Sequence, residues 1–127
     1  MNESPNYEPG YLEGITYFNE CDFFEAHEAW EDVWSEHQGE SRRFYQGLIQ
    51  VAVCLHHFGN GNTRGARKLY RSSSNYLEAY RPQHLGLDVD KLLEQFELCC
   101  RSILNDDDIP EGVIEPSLIP EIHLSSP

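Results

Sequence analysis

The chain has 127 residues, a formal net charge of −13 at pH 7, and 39% apolar and 12% aromatic residues. That length suits one domain with a real core, and the aromatic content argues against global disorder. The acidity argues against a nucleic-acid backbone or an anionic membrane as the main partner.

Residues 1–9 are polar, contain Pro5 and Pro9, and read as a loose leader. From Gly10 to about Glu20 the positions Tyr11, Leu12, Ile15, Tyr17 and Phe18 suit a short helix. Asn19 to Asp22 breaks it, with Asp22 in place to cap a second helix.

The second helix, F-F-E-A-H-E-A-W-E-D-V-W-S-E-H over residues 23–37, holds both tryptophans. On a helical wheel Val33, Ala26, His37, Trp30, Phe23, Trp34 and His27 fall along one arc, with Glu31 next. Asp32, Glu25, Glu36 and Ala29 lie opposite. His27 and Glu31, one turn apart, therefore sit within an apolar arc where their side chains can meet. A buried carboxylate is costly unless paired. Glu31 thus predicts a partner: His27, a cation from another helix, or a metal.

Gln38-Gly39-Glu40 ends that helix, and Ser41 is placed to cap a third, which runs to about Phe58. It is apolar around most of its circumference. Its polar residues fall on a narrow strip of Arg43, Gln46, Gln50 and His57. Such a helix belongs at the centre of a bundle. Gly47 lowers helix propensity, which predicts close approach by a neighbouring backbone.

Gly59-Asn60-Gly61-Asn62 is a turn, and Asn62 or Thr63 caps a fourth helix to about Tyr80. Its inward set is Ala66, Leu69, Tyr70, Ser73, Leu77 and Tyr80. Arg64, Arg67, Lys68 and Arg71 read as its solvated face. Arg81-Pro82 stops it, and the link to Leu87 reads as irregular. Asp88 caps a fifth helix over 89–104, with Val89, Leu92, Leu93, Phe96, Cys99, Cys100, Ile103 and Leu104 inward. The tail, 105–127, carries Pro110, Pro116, Pro120 and Pro127 but also Ile109, Val113, Ile114, Leu118, Ile119, Ile122 and Leu124. It is too apolar for a free acidic tail and is expected to lie extended across the bundle. A disordered partner-binding segment is the rival reading.

The four cysteines have no metal spacing and no C-x-x-C, so they read as small apolar residues in a reducing compartment. With no signal peptide or membrane-length apolar run, the expected location is the cytoplasm.

Two metal motifs are approached and missed. H-E-A-W-E, residues 27–31, has Glu31 where the zinc-protease helix H-E-x-x-H has its second histidine. The Glu-x-x-His element of bundle di-metal sites is absent: Phe24, Val53 and Cys54 stand three residues before His27, His56 and His57. What remains is a mixed site between the second and third helices, with His27, Glu28 and Glu31 facing Arg43, Gln46, Gln50 and His57. No serine or cysteine is visibly paired with a base.

Four blocks together resemble a known family. They are F-F-E-A-H-E-A-W-E-D-V-W, F-Y-Q-G-L-I-Q-V-A-V, H-F-G-N-G-N-T-R-G-A and P-Q-H-L-G-L-D-V. In that order they are similar to the domain-of-unknown-function family 309, over about residues 10–104. The resemblance implies a compact all-α bundle, and some members are labelled predicted metal-dependent hydrolases. Its polar positions fall here on His27, Glu28, Glu31, Gln50 and His57, with Asn62, Gly65 and Asp88 at turns and caps. This selects His57 over His56. The chain departs from the family at Trp30 and Cys54, and the tail lies outside the resemblance.

The reading is an all-α, single compact bundle of about five helices, residues 10–104, with the extended tail 105–127 docked on it. Two functional readings stay open. In one, His27, Glu31 and His57 hold a divalent metal (zinc, iron or manganese), Glu28 positions or deprotonates a water, and Gln50 orients a substrate for hydrolysis. In the other, the protein is a non-enzymatic interaction module whose buried His/Glu/Gln network sets helix register. No nucleic acid or membrane partner is expected, and a homodimer is compatible with the aromatic surplus.

Overall fold

The computed structural model describes residues 7–104 and 114–125. Residues 1–6 of the expected leader, and Ile109, Pro110, Val113 and Pro127 of the tail, fall outside them. Five helices follow in order: α1 (Pro9–Asn19), α2 (Phe23–Glu36), α3 (Arg42–Gly59), α4 (Thr63–Glu78) and α5 (Val89–Cys100). Each of α1 to α4 packs on the next in the chain, and α5 packs on α4 and on the tail. Among the described residues no helix is long and apolar enough to cross a membrane.

The centre is α3. Phe44, Leu48, Val51, Ala52, Leu55 and Phe58 are buried, as the breadth of its apolar arc requires. At Gly47 it is side chains of α4 that press against α3. A Cβ there would lie 2.8 Å from Leu77 and 3.2 Å from the Tyr76 Cβ. α1 and α2 lock through Trp30, which is fully buried, stacks near Phe18 (5.8 Å between centroids), and donates its indole N–H to the Tyr11 carbonyl at 3.1 Å.

Ala29 corrects the wheel reading of α2. It was placed on the polar side, yet it is buried. The cause is α1, whose Gly10 lies against Val33 and the Ala29 carbonyl. An α2 covered on two sides buries a wider arc than its polarity shows, while Trp34, Val33 and His37 stay half-buried.

Two of the four expected caps form. Asn62 and Asp88 accept hydrogen bonds from the Gly65 and Lys91 amides, respectively. Asp22 and Ser41 occupy cap positions without making a side-chain cap bond. The Ser41 hydroxyl instead shares a 2.7 Å hydrogen bond with His84 Nε2. The segment expected to be irregular contains a small antiparallel hairpin, β1 (Gln83–His84) and β2 (Leu87–Asp88). Its two turn residues, Leu85 and Gly86, both have positive φ (49° and 77°), the conformation a tight hairpin turn demands.

His84 is wedged against Phe44 and Tyr80, at 4.8 and 4.7 Å between ring centroids. Burial pushes its imidazole below its ordinary value, against a smaller opposing pull from Glu40. Below the ordinary histidine range the unfolded chain therefore binds a proton that the folded chain resists. This contribution to stability is present above that range and is lost as pH falls. The urea midpoint should fall between about pH 7.5 and 5.5, and the fall should shrink in His84→Gln. An identical pH profile in the variant would show that His84 does not carry it.

The tail is docked, as its apolar content requires. Ile122 is buried in the core, and Ile114, Ile119 and Leu124 pack against it. The chain is engaged before Gly10 as well: Tyr7 lies edge-on to Tyr11 at 5.6 Å. Cys54, Cys99 and Cys100 are buried and free, with Cys54 and Cys100 sulfurs 4.0 Å apart. Hydrogen bonding within the cluster, followed by burial, holds the Cys99 and Cys100 thiols well above the usual range, which suits inert core residues. Cys21 departs from the apolar reading. It is exposed, at φ 64° in the α1–α2 turn.

Candidate functional site

The predicted constellation separates into three places. On α2, His27 is half-buried, and its Nδ1 is 2.7 Å from the Phe24 carbonyl. In the neutral ring this nitrogen carries the proton and donates it. Nε2 then faces Glu31 at 3.9 Å, beyond hydrogen-bond reach, so the pair attracts only when the ring is protonated. Glu31 itself is 54% exposed. This corrects the expectation of a buried carboxylate that demands a partner. α2 buries Phe23, Ala26, Ala29 and Trp30, and the Glu31 edge lies beyond that buried arc. Glu28 is also exposed, with no hydrogen bond or ion pair among the described residues.

His57 belongs to the α3–α4 turn. Its Nδ1 lies 3.4 Å from the Asn62 carboxamide nitrogen, and its carbonyl accepts from the Asn62 amide at 2.8 Å. The ring that shares an aromatic neighbour with His27 is His56. Phe24, 47% exposed, lies 4.9 Å from His27 and 5.7 Å from His56 between centroids. Among the described residues no three His, Cys, Asp or Glu side chains are grouped so as to hold a metal ion. The set His27, Glu31 and His57 therefore does not fit a three-ligand metal site here, because a helix turn and the α3–α4 loop draw its members apart.

Arg43 goes elsewhere too. Its guanidinium sits 5.3 Å over the Tyr76 ring of α4, away from Glu31. The α2–α3 face receives Arg42 instead. Arg42 stacks 4.1 Å over the Trp34 ring and donates to the Trp34 and His37 carbonyls at 2.9 and 3.1 Å. It thereby closes the C-terminus of α2, where a cation is favourable.

Glu31 and Gln50 do come together. They border a shallow groove of about 180 Å³ between α2 and α3, completed by Trp34, Gln46 and Ile49. Two atoms of its lining residues are buried without any hydrogen bond among the described residues: the donor Trp34 Nε1 and the acceptor Gln50 Oε1. Native proteins pair nearly all such groups, and each unpaired one costs roughly 1–3 kcal/mol. Trp34 was not among the sequence candidates. Its signal was present, since a half-buried indole N–H needs a partner and Trp34 lies one turn beyond Glu31.

The chemistry of this groove is that of recognition: one hydrogen-bond donor, one acceptor, a second carboxamide, an apolar wall and a rim carboxylate. It contains no nucleophile paired with a base. Residues 11–69, which hold every residue of the groove, match the family described as "Domain of unknown function (DUF309)". The match takes in α1, α2, α3 and the first turns of α4, whereas the β1–β2 hairpin, α5 and the tail lie beyond it. The chain is 38% identical over 92 residues to "Uncharacterized protein YpuF" of Bacillus subtilis (strain 168), covering 69% of this chain and 53% of that protein. It is 32% identical over 74 residues to an "Uncharacterized protein" of Aquifex aeolicus (strain VF5), covering 54% of this chain and 22% of that protein. The chain thus spans about half the length of the first relative and less than a quarter of the second. Neither name states an activity.

Proposed function

We propose that this protein is a non-enzymatic recognition module whose α2–α3 groove takes an amide group, in the form of a peptide stretch of a protein partner. The observation that carries the reading is the unpaired donor and acceptor, Trp34 Nε1 and Gln50 Oε1, in two residues that line one groove. A peptide unit offers the complementary carbonyl and N–H together. Both protein atoms lie just beneath the surface, so a side-chain turn of Gln50 is part of binding. Ile49 and the Trp34 ring supply an apolar wall for the flanking side chain, and Arg42 holds Trp34 from its other face. In this reading the protein works in the cytoplasm, and its net charge keeps it off nucleic acid and anionic membranes.

The test follows the indole N–H resonance of Trp34 by NMR while N-methylacetamide, and then N-acetyl-alanine-methylamide, is added. The expected result is a saturable shift at Trp34, absent at Trp30, and lost in Gln50→Leu. That variant should melt within about 1 kcal/mol of the parent, since it removes an unpaired buried oxygen. A Trp34 resonance indifferent to both amides overturns the reading. So does stoichiometric zinc binding that is lost in the His27→Ala, His57→Ala double variant, which would restore the metal site.

A further inference from the structure

We propose that the cavity between the start of α3 and the C-terminal half of α4 is a second binding site, for an oxyanion carried on a small ring. The cavity measures about 460 Å³ and is lined by Arg43, Ser72, Asn75, Tyr76, Ala79 and Tyr80. That volume lies within the range of small-molecule sites.

Its charge sets it apart from the rest of the surface. In a chain of net charge −13, the lining holds one charged side chain, and it is a cation. The cleft between α4 and α5 gathers Glu78, Asp90, Glu94 and Glu97 around Arg81, and the cleft between α1 and α2 gathers Glu8, Asp32 and Glu36. Arg81 and Arg101 are paired with carboxylates, and Arg42 with carbonyls. Arg43 has neither among the described residues, only the face of Tyr76. Its planar fork of N–H donors suits a carboxylate or phosphate group. The side chains of Ser72, Asn75 and Tyr76 likewise make no hydrogen bond among the described residues, so their hydroxyl and amide groups remain to complete an anion's shell.

The walls are held before any ligand arrives. Gly47 brings α4 against α3 at Leu77 and the Tyr76 Cβ, as described above. Tyr80 donates its hydroxyl to the Glu40 carbonyl at 2.6 Å and lies 5.4 Å from Phe44 between centroids. Two fixed tyrosine rings beside one guanidinium offer flat apolar surface next to positive charge. That combination selects an anionic group attached to a ring over a bare ion. The site lies on the α4 side of α3, independent of the α2–α3 groove.

The test is calorimetric titration of the full chain at low salt with phenyl phosphate, benzoate, inorganic phosphate and benzyl alcohol. Phenyl phosphate or benzoate should bind at least tenfold more tightly than benzyl alcohol. Whichever of the two binds more tightly assigns the site to phosphate or to carboxylate. Arg43→Gln should weaken the tighter anion about tenfold or more, the loss of one charge-assisted pair. Arg43 is exposed, so this variant should fold normally, and Ser72→Ala, expected to weaken binding a few-fold, provides a second check. Equal binding of the neutral probe, unchanged binding in Arg43→Gln, or binding abolished by Gln50→Leu in the other groove would overturn the proposal. So would failure of every anion to bind.

Discussion

Replacing Trp30 by alanine should lower the free energy of unfolding by about 3–5 kcal/mol, the range seen for large aromatic truncations in a packed core. Trp30 is fully buried and joins α1 to α2 by three means: its stacking near Phe18, its hydrogen bond to the Tyr11 carbonyl, and its seat on Gly14. A side chain at Gly14 would overlap the indole nitrogen and its neighbouring carbons. The contact therefore has a reciprocal signature. Gly14→Ala should destabilise by about 1–3 kcal/mol alone, as overpacking does. Its effect should nearly vanish in a Trp30→Ala background, where the clash is gone. Urea unfolding followed by far-ultraviolet circular dichroism measures the whole cycle. Additive effects of the two changes would mean that the indole does not rest on Gly14.

The second large effect is at Asn19. Its carboxamide donates to the Ile122 carbonyl and accepts from the Ile122 amide, each at 2.8 Å, in the manner of a neighbouring strand. Farther along, the Ser125 amide donates to the Gly86 carbonyl at 2.8 Å. Asn19→Ala leaves both main-chain groups of a buried residue unpaired, at roughly 1–3 kcal/mol each. The chain can avoid part of that loss by letting the segment lift. Hydrogen exchange at Ile122 should therefore accelerate far more than exchange in α3, because the opening is local. Ile122→Ala should act at the same place through lost burial, by about 2–5 kcal/mol. An Ile122 amide that exchanges at the parent rate in Asn19→Ala would show that apolar packing alone holds the tail.

These two contacts mark where sequence reading succeeded and where it stopped. Apolar periodicity located all five helices to within a few residues, because burial of one face is a local property of the pattern. The tail's apolar content foretold docking, but not the side chain that clamps it. Asn19 looked like part of a break between helices. Its partner is 103 residues away, and no local pattern encodes such a pairing.

The site was legible in part for the same reason. The reading set Glu31 of α2 opposite Gln50 on the polar strip of α3, and those two residues do border one groove. It also put Glu31 inside the apolar arc, from which burial followed as an inference. A wheel gives direction and not depth, and depth depends on which neighbour covers that direction. α1 covers Ala29 and Trp30, and nothing comparable covers Glu31. His57 shared the strip with Gln50 but sits two turns farther along α3, where the Asn62 cap engages it.

By itself, then, the sequence determined the helices, the close contact at Gly47, two of the caps and the net charge. Those follow from periodicity, backbone freedom and composition, all read within a few residues or over the whole chain. Only the tertiary structure decided which polar groups meet. It sent Arg43 to Tyr76 and Arg42 to Trp34, drew Ser41 to His84, separated His57 from His27, and left a donor and an acceptor unpaired across the α2–α3 groove. The physical reason is range. A hydrogen bond or cation–ring contact is decided over a few ångströms, and those distances are set by how whole helices cross.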